Sequence, residues 1–305
     1  MLIPKIIHQT FFDKTQLSNE LLSNINWLTT CNKDWEYRLY DDNEIIGFIN
    51  KYYGSYVSKC FEKINPLYGA ARADLFRYLL MYQCGGVYID IKSTIKKPLD
   101  EVLRPDDQYI LSQWGNKPGE LHHGWGLHSD LSHLSGGEFQ QWHIVARPQH
   151  PFLKSVIANV LRNIESYRPY NQGVGKIGVL RTTGPVAYTL SIVPFLKKFP
   201  YRFVDIQKDL NFSYSIYESS GFSFHQSIFK NHYSTLKEPL ITRSKKPLSF
   251  DREVLVRKFY ELLPSWRLMK YKEKLMIENQ KIKYNKVCID RVFEKICSEN
   301  PWINE

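Results

Sequence analysis

Apolar positions along the chain change period several times, and each change marks an element. Ile3, Ile6 and Ile7 lead a β-branched run that turns polar at Gln9 and Thr10, so residues 3–12 read as a strand running into a loop. Leu21, Leu22, Ile25 and Leu28 return at helical spacing within 17–28. A short strand at 37–40 is closed by Asp41-Asp42-Asn43, whose side chains can cap a helix over 44–53. Pro66 opens a longer helix over 67–84, Gly85-Gly86 ends it, and 87–91 reads as the next strand. Later strands are predicted at 108–113, 142–146 and 201–206, and later helices at 151–166 and 185–197. Strand alternating with helix predicts an α/β domain with a largely parallel sheet.

Two regions break this alternation. Residues 115–138 are glycine-rich, carry four histidines and have little periodicity. That describes a long loop, and long loops in compact domains tend to be functional. From Phe250 the pattern is helical to the end, with Pro264 dividing it and Leu268, Tyr271, Leu275 and Ile282 near one face. The resulting division is a catalytic-size domain over 1–248 and a helical tail over 249–305.

Charge sharpens this division. The formal net charge is +10, and residues 264–286 carry seven Lys or Arg against Glu273 and Glu278. About half the excess therefore lies in the tail. It reads as a solvated helical pair, or as a surface for anionic headgroups with Trp266, Tyr271 and Tyr284 interleaved. No known nucleic-acid module is present, so nucleic acid is not an expected partner. The five cysteines are odd in number and form no C-x-x-C pair, which argues against a disulfide framework or zinc site and for a reducing compartment. With no signal-type leader and no run of ~18 apolar residues, a cytoplasmic location is expected, with peripheral membrane contact left open.

The segment richest in candidate chemistry is 69–93, GAARADLFRYLLMYQCGGVYIDIKS. On a helix Asp74 and Arg77 share a face. Alternation on the strand after Gly85-Gly86 places Tyr88, Asp90 and Lys92 on one side. Ligands of open α/β sheets bind outside the carboxyl ends of strands, where Asp90 and Lys92 would stand. A surface ion pair followed by an exposed strand end is the plainer alternative.

This segment and the opening Ile3-Pro4-Lys5-Ile6-Ile7-His8-Gln9-Thr10 resemble glycosyltransferase family 32. That group, with its "DXD sugar-binding" region, includes yeast initiating mannosyltransferases and bacterial capsular polysaccharide transferases; the large clostridial glucosylating toxins are similar at the same segment. Weaker likenesses occur at Ala146-Arg147-Pro148-Gln149-His150-Pro151, Thr183-Gly184-Pro185 and His232-Tyr233-Ser234. The resemblance implies a GT-A (Rossmann-like) fold followed here by a helical extension. It also implies a UDP- or GDP-sugar donor, a glycan or polysaccharide acceptor, and transfer with retention. Carried over by position, His8, Gln9 and Thr10 would line the nucleoside pocket. Asp74 would meet the ribose or donor sugar hydroxyls, Arg77 would bind the sugar or stabilise the diphosphate side, and Tyr88 would pack near the diphosphate. Asp90 would be the first motif aspartate and a metal ligand. His232, Tyr233 and Ser234 would close over the phosphates.

One position departs from the family pattern: the string is Asp90-Ile91-Lys92, with lysine where the second aspartate stands. A hard divalent cation such as Mn²⁺ or Mg²⁺ favours carboxylate, phosphate and water ligands. Lys92 removes one carboxylate and adds a positive charge, so reduced metal dependence is expected, with the ammonium meeting the departing diphosphate. The alternatives are that Lys92 points to solvent, or that the chain is a degenerate module binding sugar nucleotide or glycan without turnover.

Other residues remain open at this level. His122, His123, His128 and His133 read as a metal cluster or as polar groups of an acceptor loop, without a known ligand spacing. Trp114, Trp125 and Trp142 suit either a stacked sugar or a core. Asp130 and Glu138 are acceptor-side carboxylate candidates by loop position. No G-x-S-x-G elbow, P-loop or G-x-G-x-x-G is present.

Overall fold

The computed structural model describes residues 1–217, 233–242 and positions 290, 293–295 and 298. In chain order its regular elements begin with β1 (Ile6–Thr10), α1 (Asn19–Cys31), β2 (Glu36–Tyr40), α2 (Asp42–Glu62), α3 (Gly69–Cys84) and β3 (Gly86–Ile89). They continue with β4 (Thr94–Ile95), α4 (Leu99–Val102), β5 (Tyr109–Ser112), β6 (His143–Ala146), α5 (Pro151–Glu165) and α6 (Pro169–Gln172). The last are α7 (Gly175–Thr182), α8 (Pro185–Ile192), β7 (Arg202–Val204), α9 (Ile206–Asp209) and β8 (Phe212–Ser213).

Six strands form one sheet in the order β2-β1-β3-β6-β5-β7. β1 runs parallel to β2 and β3, and β5 parallel to β7, while β6 is antiparallel to both its neighbours. The expected α/β class is present, with β6 as the one reversed strand of this sheet. Period-two alternation divides the side chains between the two faces. Ile7, Val87, Ile89, Ile110 and Val145 enter one buried cluster, with Leu28 of α1 and Leu99 of α4. Tyr88, Tyr109, Leu111, Ile144 and Ala146 face the larger cluster under α2, α3, α5 and α8.

α1, α2 and α5 start where a side chain satisfies one of the first N–H groups. Ser18 accepts from Leu21 N, and Asp41 forms a reciprocal capping box with Glu44. His150 accepts from Phe152 N ahead of Pro151 at the first turn of α5. α2 runs past the predicted end at 53 because Tyr56, Val57, Cys60 and Phe61 continue the buried stripe beyond a kink at Gly54, whose φ is 66°. α3 is buried nearly all round, from Asp74 to Tyr82. Gly85 (φ 63°) and Gly86 (φ 99°) then reverse the chain into β3. A Cβ on Gly86 would sit 2.5 Å from the Ile6 carbonyl oxygen, so this is where α3 can be joined to a strand lying directly beside β1.

Most of the predicted tail lies outside the described residues. Its described positions touch the domain: Phe293 is buried edge-on against Tyr82, Asp290 lies 3.9 Å from Lys154, and the Lys295 ammonium is over the Tyr56 ring. No described helix is long and apolar enough to cross a membrane.

Candidate functional site

The carboxyl ends of β1 and β3 and the middle of α3 converge on one polar cluster. β3 ends at Ile89 rather than at residue 91. Ser93 N–H donates to the Asp90 carbonyl at 2.8 Å, folding 90–93 into a turn, while Asp90 N–H donates to Trp142 O at 2.8 Å. Strand alternation therefore stops before Lys92, and the turn sets its direction.

Arg77 is the centre of the cluster. Its Nη1 lies 3.0 Å from Asp90 Oδ1 and donates to Gln141 O at 2.8 Å. Nη2 lies 3.4 Å from Asp74 Oδ1, and Nε donates to Ala73 O. The guanidinium also stacks 4.8 Å from the Tyr88 ring centroid. Asp74 accepts from Gln141 Nε2 and from Thr183 Oγ1, both at 3.0 Å. Asp74 and Arg77 side chains are about 4% and 5% exposed, so this is a buried pair and not the surface pair considered above. Burial opposes the Arg77 charge, but Asp90, Tyr88 and Asp74 outweigh it and hold the guanidinium pKa above its ordinary value. Burial likewise pushes the Asp74 carboxyl up, against Arg77, Gln141 and Thr183.

Asp90 is the opening of the cluster, with a side chain 24% exposed. Its Oδ1 also accepts from Tyr88 OH at 3.4 Å, and Tyr88 OH pairs with Thr10 Oγ1 at 3.1 Å. Gln9 braces the same turn: Nε2 donates to Asp90 O at 3.1 Å, and Oε1 accepts from Tyr37 OH at 2.7 Å. Thr10, Tyr88 and Asp90 thus form a hydrogen-bonded rim, with the fully buried Gln9 underneath. His8 is also fully buried. Its Nε2 lies 3.1 Å from Gly85 O and its Nδ1 3.3 Å from Tyr40 OH, and burial pulls its pKa to about 4. The protein interior occupies its surroundings, unlike the pocket-lining place expected for it.

Lys92 does not point to open solvent. Its Nζ donates to Tyr214 OH at 2.7 Å and lies 3.9 Å from that ring's centroid. Burial lowers its pKa to about 8, with Asp90 pulling up and Arg77 pushing down. Next to it, Tyr214 meets Trp114, Trp125 and Trp142 edge-on or tilted. The long loop folds over these rings. Glu138 accepts from Trp114 Nε1 at 2.8 Å and pairs with His128 at 2.6 Å, and Asp130 pairs with Arg181 at 3.1 Å. The loop histidines do not meet: His122 is buried against Trp114 and Trp125, while His123 and His133 are exposed.

Of the C-terminal candidates, His232 lies outside the described residues. Tyr233 begins a single 3-10 turn over Tyr233–Thr235 beside α7, and Ser234 on it is exposed. Reasoning from the sequence missed Gln141 and Tyr214. Neither stands in a recognisable pattern, and both reach the cluster only through the fold; Thr183 was visible only as the first residue of a short echo.

Residues 18–113 match the family model described as "Glycosyltransferase sugar-binding region containing DXD motif". That span holds Asp74, Arg77, Tyr88, Asp90 and Lys92 in one stretch. The match covers about a third of the chain and makes it similar, over that stretch, to the DXD glycosyltransferases. Among curated relatives of the family it is similar to the initiation-specific alpha-1,6-mannosyltransferase of Saccharomyces cerevisiae, 28% identical over 52% of this chain and 39% of that one. It is similar to inositol phosphoceramide mannosyltransferase 1 of Schizosaccharomyces pombe, 27% identical over 52% and 43% of the two chains. A third, mannosyl phosphorylinositol ceramide synthase SUR1 of S. cerevisiae, is 35% identical over 33% and 26%. The chain thus spans less than half the length of these relatives. Among solved structures the PaToxG glycosyltransferase aligns at a TM-score of 0.43 and 15% identity, over 64% of this chain and 70% of that one.

The Asp90-Ile91-Lys92 string, where the resemblance would put the DXD motif, has one carboxylate. Among the described residues no three His, Cys, Asp or Glu side chains come together to hold a metal ion. Asp90 already shares one oxygen with Arg77, and an ammonium stands where the second carboxylate would be. This donor set does not fit a divalent ion clasped between two motif aspartates.

Proposed function

We propose that the protein is a retaining glycosyltransferase that moves a sugar from a UDP- or GDP-sugar to a hydroxyl of a glycan or polysaccharide acceptor. The observation that carries the reading is Asp90, partly open at the carboxyl end of β3 within the family-matched segment and backed by the buried Arg77–Asp74 pair. That is where a ligand of an open α/β sheet binds. The relatives' mannosyltransferase names agree with the reaction class.

In this reading Asp90 accepts from donor hydroxyls through the carboxylate edge that Arg77 leaves free. Arg77 is a fixed, always protonated cation that keeps Asp90 aligned. Lys92 supplies positive charge to the oxygens of the leaving nucleoside diphosphate. Because Arg77 and Lys92 are held before the donor arrives, little reorganisation is needed as charge develops on the leaving group. Thr10 and Tyr88 orient Asp90 from the strand ends, and Gln9 fixes its main chain. Peripheral contact of the basic C-terminal segment with an anionic membrane belongs to the same proposal.

The test is to incubate purified protein with GDP-mannose and with UDP-glucose, following nucleotide release and sugar transfer. Release of nucleoside diphosphate that Asp90→Ala abolishes is the expected result. Tight nucleotide binding with no turnover of either donor would instead assign the chain to the degenerate, non-catalytic class. The anomeric configuration of the product, read by NMR, decides retention.

A further inference from the structure

Lys92 reaches its place on a flexible four-carbon stem from a turn, not from a strand or helix. Such a side chain has much rotamer freedom to lose when it is fixed. Something must hold it for the charge to be useful, and one residue does so in two ways. The Tyr214 hydroxyl accepts from Nζ at 2.7 Å, and the Tyr214 ring lies under the same ammonium, 3.9 Å from Nζ to its centroid.

Tyr214 is itself held by both chain and rings. Ser93 Oγ donates to its carbonyl at 2.8 Å, and Ile216 N–H donates to the Lys92 carbonyl at 2.8 Å. One residue before it, Ser213 pairs with Thr94 where β8 lies antiparallel to β4. Trp114, Trp125 and Trp142 stand 5.1, 5.9 and 5.6 Å from its ring centroid. Tyr214 is therefore joined both to the turn that carries Asp90 and to Trp114 and Trp125 of the long-loop region.

We propose that Tyr214 is the positioning residue for Lys92: its hydroxyl and ring hold the ammonium beside Asp90, and the three tryptophans fix the ring that does so. This rests on the reading of Lys92 as the cation for the departing diphosphate. Positioning of this kind acts on turnover more than on donor affinity, because the charge it places is needed most as the bond to the leaving group breaks.

The experiment measures kcat and KM with whichever of GDP-mannose and UDP-glucose the wild-type protein turns over, for Tyr214→Phe, Tyr214→Leu, Lys92→Met and the double variant Tyr214→Phe/Lys92→Met. Tyr214→Phe keeps the ring and its packing, so it stays folded and isolates the hydroxyl. It is expected to lower kcat about tenfold with KM changed less than about twofold. Tyr214→Leu, losing hydroxyl and ring, should fall to the level of Lys92→Met. The double variant should be no slower than Lys92→Met alone, because Tyr214 acts through Lys92. Multiplicative loss in the double variant, or unchanged kcat in Tyr214→Phe beside an impaired Lys92→Met, overturns the positioning role and leaves the Lys92 reading standing. A Lys92→Met protein with wild-type kcat overturns the Lys92 reading itself, and turnover of neither donor overturns the transferase reading; each removes this proposal with it.

Discussion

Arg77 on α3 reaches Asp90 in the turn after β3, its Nη1 3.0 Å from Oδ1, while its Nη2 faces Asp74 at 3.4 Å. One buried guanidinium thus connects a carboxylate sealed in the interior to one at the mouth of the site. The two carboxylates should respond differently to substitution, and Arg77 should be felt in both folding and activity.

Arg77→Ala removes the cation from a pair that is almost fully buried. Asp74 would keep Gln141 and Thr183 as donors but lose its compensating charge. Breaking such a pair by deleting one partner costs about 3–5 kcal/mol. Urea unfolding should show a loss of that order, together with loss of transfer. A variant as stable as wild type would mean that Asp74 takes up a proton or reaches solvent once Arg77 is gone, so that no unpaired charge stays buried.

Asp90→Ala should separate activity from stability. Asp90 is partly exposed, and Arg77 keeps Asp74, Gln141 and Ala73 as partners without it. The expected cost to folding is about 1 kcal/mol, the scale of one net hydrogen bond, with transfer abolished. Kinetics and thermal melts on the same preparation decide it. Full turnover by this variant would remove Asp90 from the chemistry.

Three buried histidines predict acid sensitivity. Burial lowers His8 and His150 to about 4 and His143 to about 3. In the unfolded chain each titrates near 6.5, so as pH falls through about 6.5 the unfolded state takes up protons that the folded state refuses. Stability is then complete above that pH and declines toward pH 4, by about 1.4 kcal/mol per histidine per pH unit. Unfolding free energies at pH 7 and pH 5.5 should show this slope. His143→Asn should lessen it; an identical slope in that variant would mean that His143 is already accessible to protons in the folded state.

How much of this was legible in the sequence depended on distance along the chain. Asp74, Arg77, Tyr88 and Asp90 fall within 17 residues, so one helix, one Gly-Gly turn and one strand suffice to bring them together. Strand alternation failed at 90–93, where a backbone hydrogen bond closes a turn that no side chain announces. The place of His8 in a nucleoside pocket came from the resemblance alone; in the fold His8 is buried between Gly85 and Tyr40. Gln141, Thr183 and Tyr214 join the site from 64 or more residues away from Arg77, through contacts that only the folded sheet and loop create.

The last prediction concerns metal dependence. A leaving nucleoside diphosphate develops negative charge, which a motif with two aspartates meets with a divalent ion and which, in the proposed function, Lys92 and Arg77 meet here. Removing metal with EDTA should therefore slow transfer only partly, and added Mn²⁺ should help without being required. Lys92→Ala should lose about 2–4 kcal/mol of transition-state stabilisation, the scale of one preorganised group on developing charge. Lys92→Asp is the sharper variant, because it restores a second carboxylate beside Asp90 and removes the ammonium that would repel a cation. Its activity should be low in EDTA and recover with Mn²⁺ more than the wild type's does. Donor turnover measured for both proteins with and without EDTA gives the four rates needed. If the wild type falls to zero in EDTA and Mn²⁺ restores it fully, the ammonium does not replace the ion.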